Sequence, residues 1–250
     1  MARQLTTKGW GRDKVERILL YNGYRVSYPR LYKRTTYSQH ELYFPNLIEG
    51  LELDNINQVI QTDITYYRVK EKFYYLVFMI DVYSKRIVGF ACSKSLEAGA
   101  NIKALKRMLQ LRKENSIVGL IHHSDRGSQY IDKEYLKLLT ENKIAISMCT
   151  MAWENPFAER INRTIKDEYL DGWKINDFAM LNRSVRKAVN HYNRKRQHDN
   201  LNKLSPIEFE NKLLNTQSQE RVKLKLYKHL DTYPQKNVNG TKKKEAKKKE

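Results

Sequence analysis

The chain has 250 residues with 40% hydrophobic content, enough for one sizeable core and an appendage. Its 47 Lys+Arg against 28 Asp+Glu give a formal charge of +19, which points to a polyanionic partner, nucleic acid first, with a basic membrane-surface or ribosomal protein sharing that charge. Two distant cysteines, Cys92 and Cys149, exclude a disulfide framework and a Cys/His zinc module, and no apolar stretch approaches the ~20 residues of a membrane span, so a cytoplasmic protein without membrane contact is expected.

Residues 1–40 carry nine Lys/Arg and two acids, and Val15, Ile18 and Leu19 share one face of a short helix that Gly23 would close. This basic arm, assigned to 1–54, leaves a degenerate helix-turn-helix open as a reading, although Tyr28-Pro29 would interrupt a second helix near its start. From Asn57 the pattern turns β-rich. Strands are expected over Gln58–Tyr67, Phe73–Ile80 and Arg86–Cys92, a helix over 98–113, a strand over Ile117–His122, a helix over 132–142 and a last strand over Ile144–Met148. That order implies an α/β layer fold. Phe157, Ile161, Ile165 and Tyr169 recur every four residues and predict a helix over 156–171 with one buried face. A further helix is expected over 177–195, and another begins where Ser205 is a good N-cap and Pro206 suits the first turn. The extension is bounded at 176–215. Residues 216–250 read as a basic tail whose Lys-rich end is expected to be disordered.

Three segments place a carboxylate where such a sheet would gather them: Gln61-Thr62-Asp63-Ile64-Thr65 in the first strand, His123-Ser124-Asp125-Arg126-Gly127 after the fourth, and Glu159 on the helix beyond the fifth. A charge within an apolar strand is costly to bury unless it is paired or binds metal. Three hard oxygen donors suit Mg²⁺ or Mn²⁺, and a pair of such ions serves in-line phosphodiester attack. Taken singly, each acid is more simply a solvated or salt-bridged group.

Around these residues the sequence resembles the second-frame catalytic proteins of the insertion-sequence three family, whose core is an integrase-like domain of the ribonuclease H superfamily. The resemblance spans residues 9–210. It rests on Asn57-Gln58-Val59 through Tyr66, on Asp81-Val82-Tyr83-Ser84-Lys85-Arg86-Ile87-Val88-Gly89, and on the eight-residue block His123 to Tyr130. It continues through Glu154-Asn155, Ala158-Glu159-Arg160, Tyr192-Asn193, Arg196, His198, Leu201 and Leu204-Ser205-Pro206. Two departures stand out: 33 residues separate Asp125 from Glu159, two short of the family pattern, and Ile60 stands where Trp is common. The missing residues fall in the loop Cys149 to Trp153, which shortens at little cost.

The resemblance implies an α/β, ribonuclease H-like mixed sheet flanked by helices over 55–175, with the basic N-terminal helical arm and the C-terminal helical extension on either side. It implies a DNA transposase that cleaves and joins element ends and target, with Asp63, Asp125 and Glu159 as catalytic residues and metal ligands for two ions. Seven helical residues advance about 700°, so Lys166 shares a face with Glu159, and Asn162, Arg163 and Lys166 are expected to form a DNA-binding strip. The family reading also implies a homo-oligomer on DNA, an upstream-frame partner protein and a bacterial, nucleoid-associated location. The alternative is a non-catalytic DNA-binding protein derived from such an element. His122 and His123 read as structural histidines before proton carriers, and Trp153 as a packing residue or a base-stacking platform.

Overall fold

A computed structural model describes residues 11–24, 43–113 and 117–228. Helix α1 (Arg12–Tyr21) occupies the expected place in the arm. The question of a second helix there, and the Lys-rich end from 229, lie outside the described residues.

After a two-residue strand β1 (Glu52–Leu53), the chain builds β2 (Val59–Val69), β3 (Lys72–Asp81) and β4 (Ile87–Ser93), then α2 (Gly99–Leu111), β5 (Ile121–Ser124), α3 (Lys133–Glu141) and β6 (Ala145–Met148). Helices α4 (Pro156–Glu168), α5 (Phe178–Lys195) and α6 (Pro206–Leu214) follow, and a second two-residue strand, β7 (Leu224–Lys225), closes the described chain. The main sheet has the order β4-β3-β2-β5-β6, antiparallel through β2, β3 and β4 and parallel through β2, β5 and β6. This is the expected ribonuclease H-like mixed sheet.

The period of two along β3 separates two cores. Val77 and Met79 face α2 and α3, whereas Leu76, Phe78 and Ile80 face Ile161 and Ile165 of α4 and Leu181, Val185 and Ala188 of α5. Helices therefore cover both faces of a strand pair that is apolar on each side. Gly89 permits the closest approach of the first layer: a Cβ there would lie 2.4 Å from the Ala104 carbonyl oxygen of α2. On the second layer Asn193 of α5 uses both ends of its amide on Ile87, accepting from its N–H and donating to its carbonyl, each at 2.9 Å. Helix α6 starts with a complete capping box between Ser205 and Glu208, with Pro206 in its first turn.

Three boundaries differ from expectation. Strand β5 begins only at Ile121, because Gly119 at φ +81° places a turn inside the apolar run from Ile117. Helix α4 stops at Glu168, and Leu170–Gly172 form a separate 3-10 turn. The core also extends further than expected on either side: β7 pairs antiparallel with β1, and Ile48, Leu53, Leu213 and Leu226 bury together. Residues 43–54 and 216–228 thus pack at one end of the core. Their apolar residues are interspersed with charges, and although Val222, Leu224 and Leu226 alternate with lysines as a short strand would, composition assigns the two stretches to an arm and a tail.

That end is tied down by buried charge. Asp81, fully buried, accepts from the backbone N–H groups of Asn57 (2.8 Å), Tyr83 (3.0 Å) and Ser84 (2.9 Å). Arg112, just past α2, lies 3.6 Å from Asp81 and donates twice to Glu210 of α6, which also accepts from Ser84 Oγ at 2.8 Å and from Arg86. Burial pushes the Asp81 carboxyl up against the pull of Arg112. Burial also works to raise Glu210, but Arg112 and Arg86 hold it below its ordinary value of 4.5.

Glu210→Gln should therefore lower the unfolding free energy by about 3–5 kcal/mol in urea at neutral pH, since it strands buried guanidinium charge; a loss below about 1 kcal/mol would show that the network does not secure α6. The depressed Glu210 carboxyl contributes stability that is complete above its unfolded value of 4.5 and is lost as pH falls through the lower folded value. The wild-type advantage over Glu210→Gln should accordingly shrink on acidification below about pH 4.5. The raised Asp81 acts in the opposite sense, and because the Glu210 charge is one cause of that rise, the comparison between the two proteins reads the coupled pair.

Candidate active site

Strand β2 turns three polar side chains, Gln61, Asp63 and Thr65, toward α4, and each finds a partner there. Gln61 Oε1 accepts from the Phe157 N–H at 3.0 Å, Asp63 Oδ2 accepts from Asn162 Nδ2 at 2.8 Å, and Thr65 Oγ1 accepts from Lys166 Nζ at 2.9 Å. Asn155, just before the helix, donates to the Thr62 carbonyl at 2.8 Å. The apolar stripe holds α4 to the sheet, and this polar ladder fixes its rotation and height.

Strands β2 and β5 run parallel with Gln61 opposite His123. Continued two residues, that register sets Asp63 beside Asp125, where β5 has ended and the chain turns away. Asp125 Oδ1 accepts from the Gly127 N–H at 3.0 Å, and a Cβ on Gly127 would crowd that same oxygen at 3.1 Å. The Asp63 carboxyl is pushed up to about 7, first by burial and then by the negative charges of Asp125 and Glu159, against hydrogen bonds from Ile64 N–H and Asn162. Desolvation raises Asp125 and Glu159 as well, with Arg163 pulling Glu159 back. Three carboxylates from three elements thus share one electrostatic neighbourhood, and Asp63 is the most strained of them.

Those donors are hard oxygens whose mutual repulsion a divalent cation would relieve, and the Asp63–Asp125 pair fits such an ion. Among the described residues, no three His, Cys, Asp or Glu side chains converge on a single metal-sized position. Glu159, exposed on the first turns of α4, reaches Asp63 through its field.

The other expected residues divide. Lys166 lies on the Asp63 side of α4, half-buried, with burial lowering its ammonium. Arg163 is exposed. Asn162, expected on an open strip with them, is instead buried with its amide committed to Asp63. His122 and His123 are buried and held neutral, their values lowered to about 3 and 4 chiefly by desolvation; His122 Nε2 meets Tyr135 OH at 2.7 Å and His123 Nδ1 meets Ser147 Oγ at 2.8 Å. Glu154 is buried and accepts from the Thr150 and Met151 N–H groups, which gives it a structural task in the shortened loop. Glu168 pairs with Arg196 through both oxygens, at 2.6 and 2.7 Å. Trp153 packs edge-on against Tyr227. Gln61 and Thr65 escaped the sequence reading as partners of α4, although their alternation with Ile60 and Ile64 was the available signal.

Two family models described as integrase core domain match residues 54–152 and 142–206. The chain is 32% identical over 207 residues to the insertion element IS600 31 kDa protein of Shigella sonnei, covering 81% of this chain and 75% of that one. It is 31% identical over 197 residues to transposase InsF for insertion sequence IS3A of Escherichia coli, covering 77% of this chain and 68% of that protein. A chain of the simian T-cell lymphotropic virus intasome, solved with a PP2A regulatory subunit, shares the fold with TM-score 0.50 and 16% identity, over 84% of this chain and 70% of that one. Sheet order, matched blocks and relatives agree: the chain belongs to the IS3 family of insertion-sequence transposases.

Proposed function

We propose that this transposase hydrolyses a phosphodiester at each end of a mobile element and then joins the freed 3′-hydroxyl to another phosphodiester, displacing one DNA oxygen for each bond made. The observation that carries the reading is Asp63: a carboxylate pushed up to about 7 by burial and by Asp125 and Glu159, with its orientation fixed by Asn162. Asp63 and Asp125 would hold the principal ion, and Glu159 would complete a second site. Mg²⁺ or Mn²⁺ bound there would supply Lewis acidity to the attacking and leaving oxygens.

The chain's own residues supply the rest. Asn162 holds one Asp63 oxygen and the Ile64 N–H holds the other, so the carboxylate keeps one orientation. Lys166, tethered at Thr65, and the exposed Arg163 bring positive charge beside the acids and serve to position the DNA backbone. Joining two ends calls for more than one protomer, and an upstream-frame protein is a candidate partner for end recognition. The non-catalytic alternative gains nothing from this geometry, because a protein that only bound DNA would have no use for three acids beside its phosphates. Among the described residues no helix is long and apolar enough to cross a membrane.

Asp63→Asn and Asp125→Asn should each lose strand transfer while keeping DNA binding, and by more than Asn162→Ala, for which the loss of an outer support predicts roughly 10–100-fold in metal affinity. Single-turnover joining across a Mg²⁺ titration measures both. Near-wild-type joining by either aspartate variant would refute the assignment.

The third acid is tested by a panel. Glu159→Gln should abolish joining in Mg²⁺ and in Mn²⁺, and Glu168→Gln should retain most of it. Glu154→Gln should lose about 1–3 kcal/mol of stability through the loop it caps, with joining preserved below its melting transition. An active Glu159→Gln protein beside an inactive, folded Glu154→Gln protein would move the third acid to the earlier position.

A further inference from the structure

Helix α5 carries five cations, Arg183, Arg186, Lys187, Arg194 and Lys195, and no acid in its 18 residues. Its inner face is fully used: Leu181, Val185, Ala188, Val189 and Tyr192 enter the second core, and Asn193 fastens it to β4. Its outer face is uncovered. Ala179, Asn182, Arg183, Arg186, Lys187 and Asn190 line an open depression along it. Among the described residues Arg183 and Arg186 make no ion pair, whereas Arg196, just past the helix, is taken up by Glu168. Lys187 lies over the Trp173 ring at 5.3 Å and Lys94 over Phe178 at 5.4 Å, so the charge continues beyond the helix on two aromatic supports.

The comparison with α2 shows what is unusual here. That helix also lacks acids, but Lys106 is paired with Glu134 across to α3 and Arg107 donates to the Phe90 carbonyl. The cations of α5 have been left to solvent in a row. Arg183, Lys187, Asn190 and Arg194 fall within a wedge of about 60°, and the row runs about 16 Å at 1.5 Å per residue. One DNA strand rises 3.4 Å along the duplex axis per phosphate while winding around it, so a straight row of this length with its three cations, Arg183, Lys187 and Arg194, can reach about three phosphates of a backbone.

We propose that the outer face of α5 is a second DNA surface, which grips the phosphate backbone of duplex away from the reacting phosphodiester. Helices α4 and α5 lie in the same layer, α4 beside Asp63 and α5 over β4, two strands from β2. Duplex leaving the acids past Lys166 and Arg163 reaches α5 after roughly 10 Å of sheet, counted at about 4.8 Å per strand. The grip is on phosphates, so the surface sets hold and direction and leaves sequence reading to other parts. The inference rests on DNA as the substrate but not on the chemistry at Asp63.

The test uses the full chain and an element-end duplex, with binding followed by fluorescence anisotropy from low to moderate salt. The variant Arg183→Gln/Arg186→Gln/Lys187→Gln should flatten the slope of log K against log salt by about 2 to 3, because each phosphate that a cation no longer neutralises keeps ~0.9 counterion. The charge-retaining variant Arg183→Lys/Arg186→Lys/Lys187→Arg should keep the wild-type slope, which separates charge from folding. Lys103→Gln/Lys106→Gln/Lys137→Gln removes the same charge from the opposite layer and should leave the slope nearly unchanged. Equal flattening by the two glutamine variants, or none in the α5 variant, would overturn the proposal. So would an α5 variant that keeps its DNA slope but loses binding to polyglutamate, which would assign the face to an acidic protein. Wild-type joining activity is scored separately: a flattened slope without joining would sink the enzymatic reading and leave this surface standing.

Discussion

The buried ion network of Asp81, Arg112, Glu210 and Arg86 is the constraint on which the rest of the architecture depends. Asp81 is sealed from solvent, and its charge is tolerable only because three backbone N–H groups and a guanidinium surround it. Those groups come from the approach to β2, the β3–β4 turn and the end of α2, so one carboxylate sets the positions of all three. Glu210 then brings in α6 from far along the chain. The C-terminal extension is joined to the sheet by charge that cannot be uncovered cheaply.

The site depends on a second arrangement of the same kind, left incomplete. Gln61, Asp63 and Thr65 alternate along a strand that is otherwise apolar, and α4 answers each with a donor. Gln61 and Thr65 are neutral acceptors that such bonds satisfy. Asp63 is ionisable, and its bonds from Asn162 and the Ile64 N–H do not offset burial and the field of Asp125 and Glu159. Neutral partners thus surround a carboxylate crowded by other acids, and the Lys166 ammonium beside it is held by Thr65.

Much of this was legible in the sequence. Periodicity located the five main strands and the helices on both faces, because each buries a regular stripe. Asp63 was visible as a charge within an apolar strand, Asp125 and Glu159 were singled out by a strand's end and by the family resemblance, and Ser205-Pro206 announced α6 by local chemistry alone. What stayed hidden required pairing across distance. Glu210 and Arg112 look like ordinary surface charges on amphipathic helices, and only the folded chain brings them to Asp81. Asn162 lies at the border of its helix's apolar stripe, and strand β2 faces it with Asp63. The alternation of Val222, Leu224 and Leu226 marks a strand but not its partner, and the apolar residues that meet there, Ile48, Leu53 and Leu226, are far apart in the sequence.

That ladder has a consequence for how the protein comes into being. Glu52 and Leu53 are synthesised long before their partners Lys225 and Leu224, which follow the sheet and α4 along the chain. Pairings so remote in sequence form late, since the loop they close is nearly the entire domain. During synthesis the apolar surface of Ile48, Leu53, Val59 and Val82 waits uncovered, and Leu213 and Leu226 seal it only at the last. A chain truncated before that point leaves this apolar cluster open to chaperones and proteases.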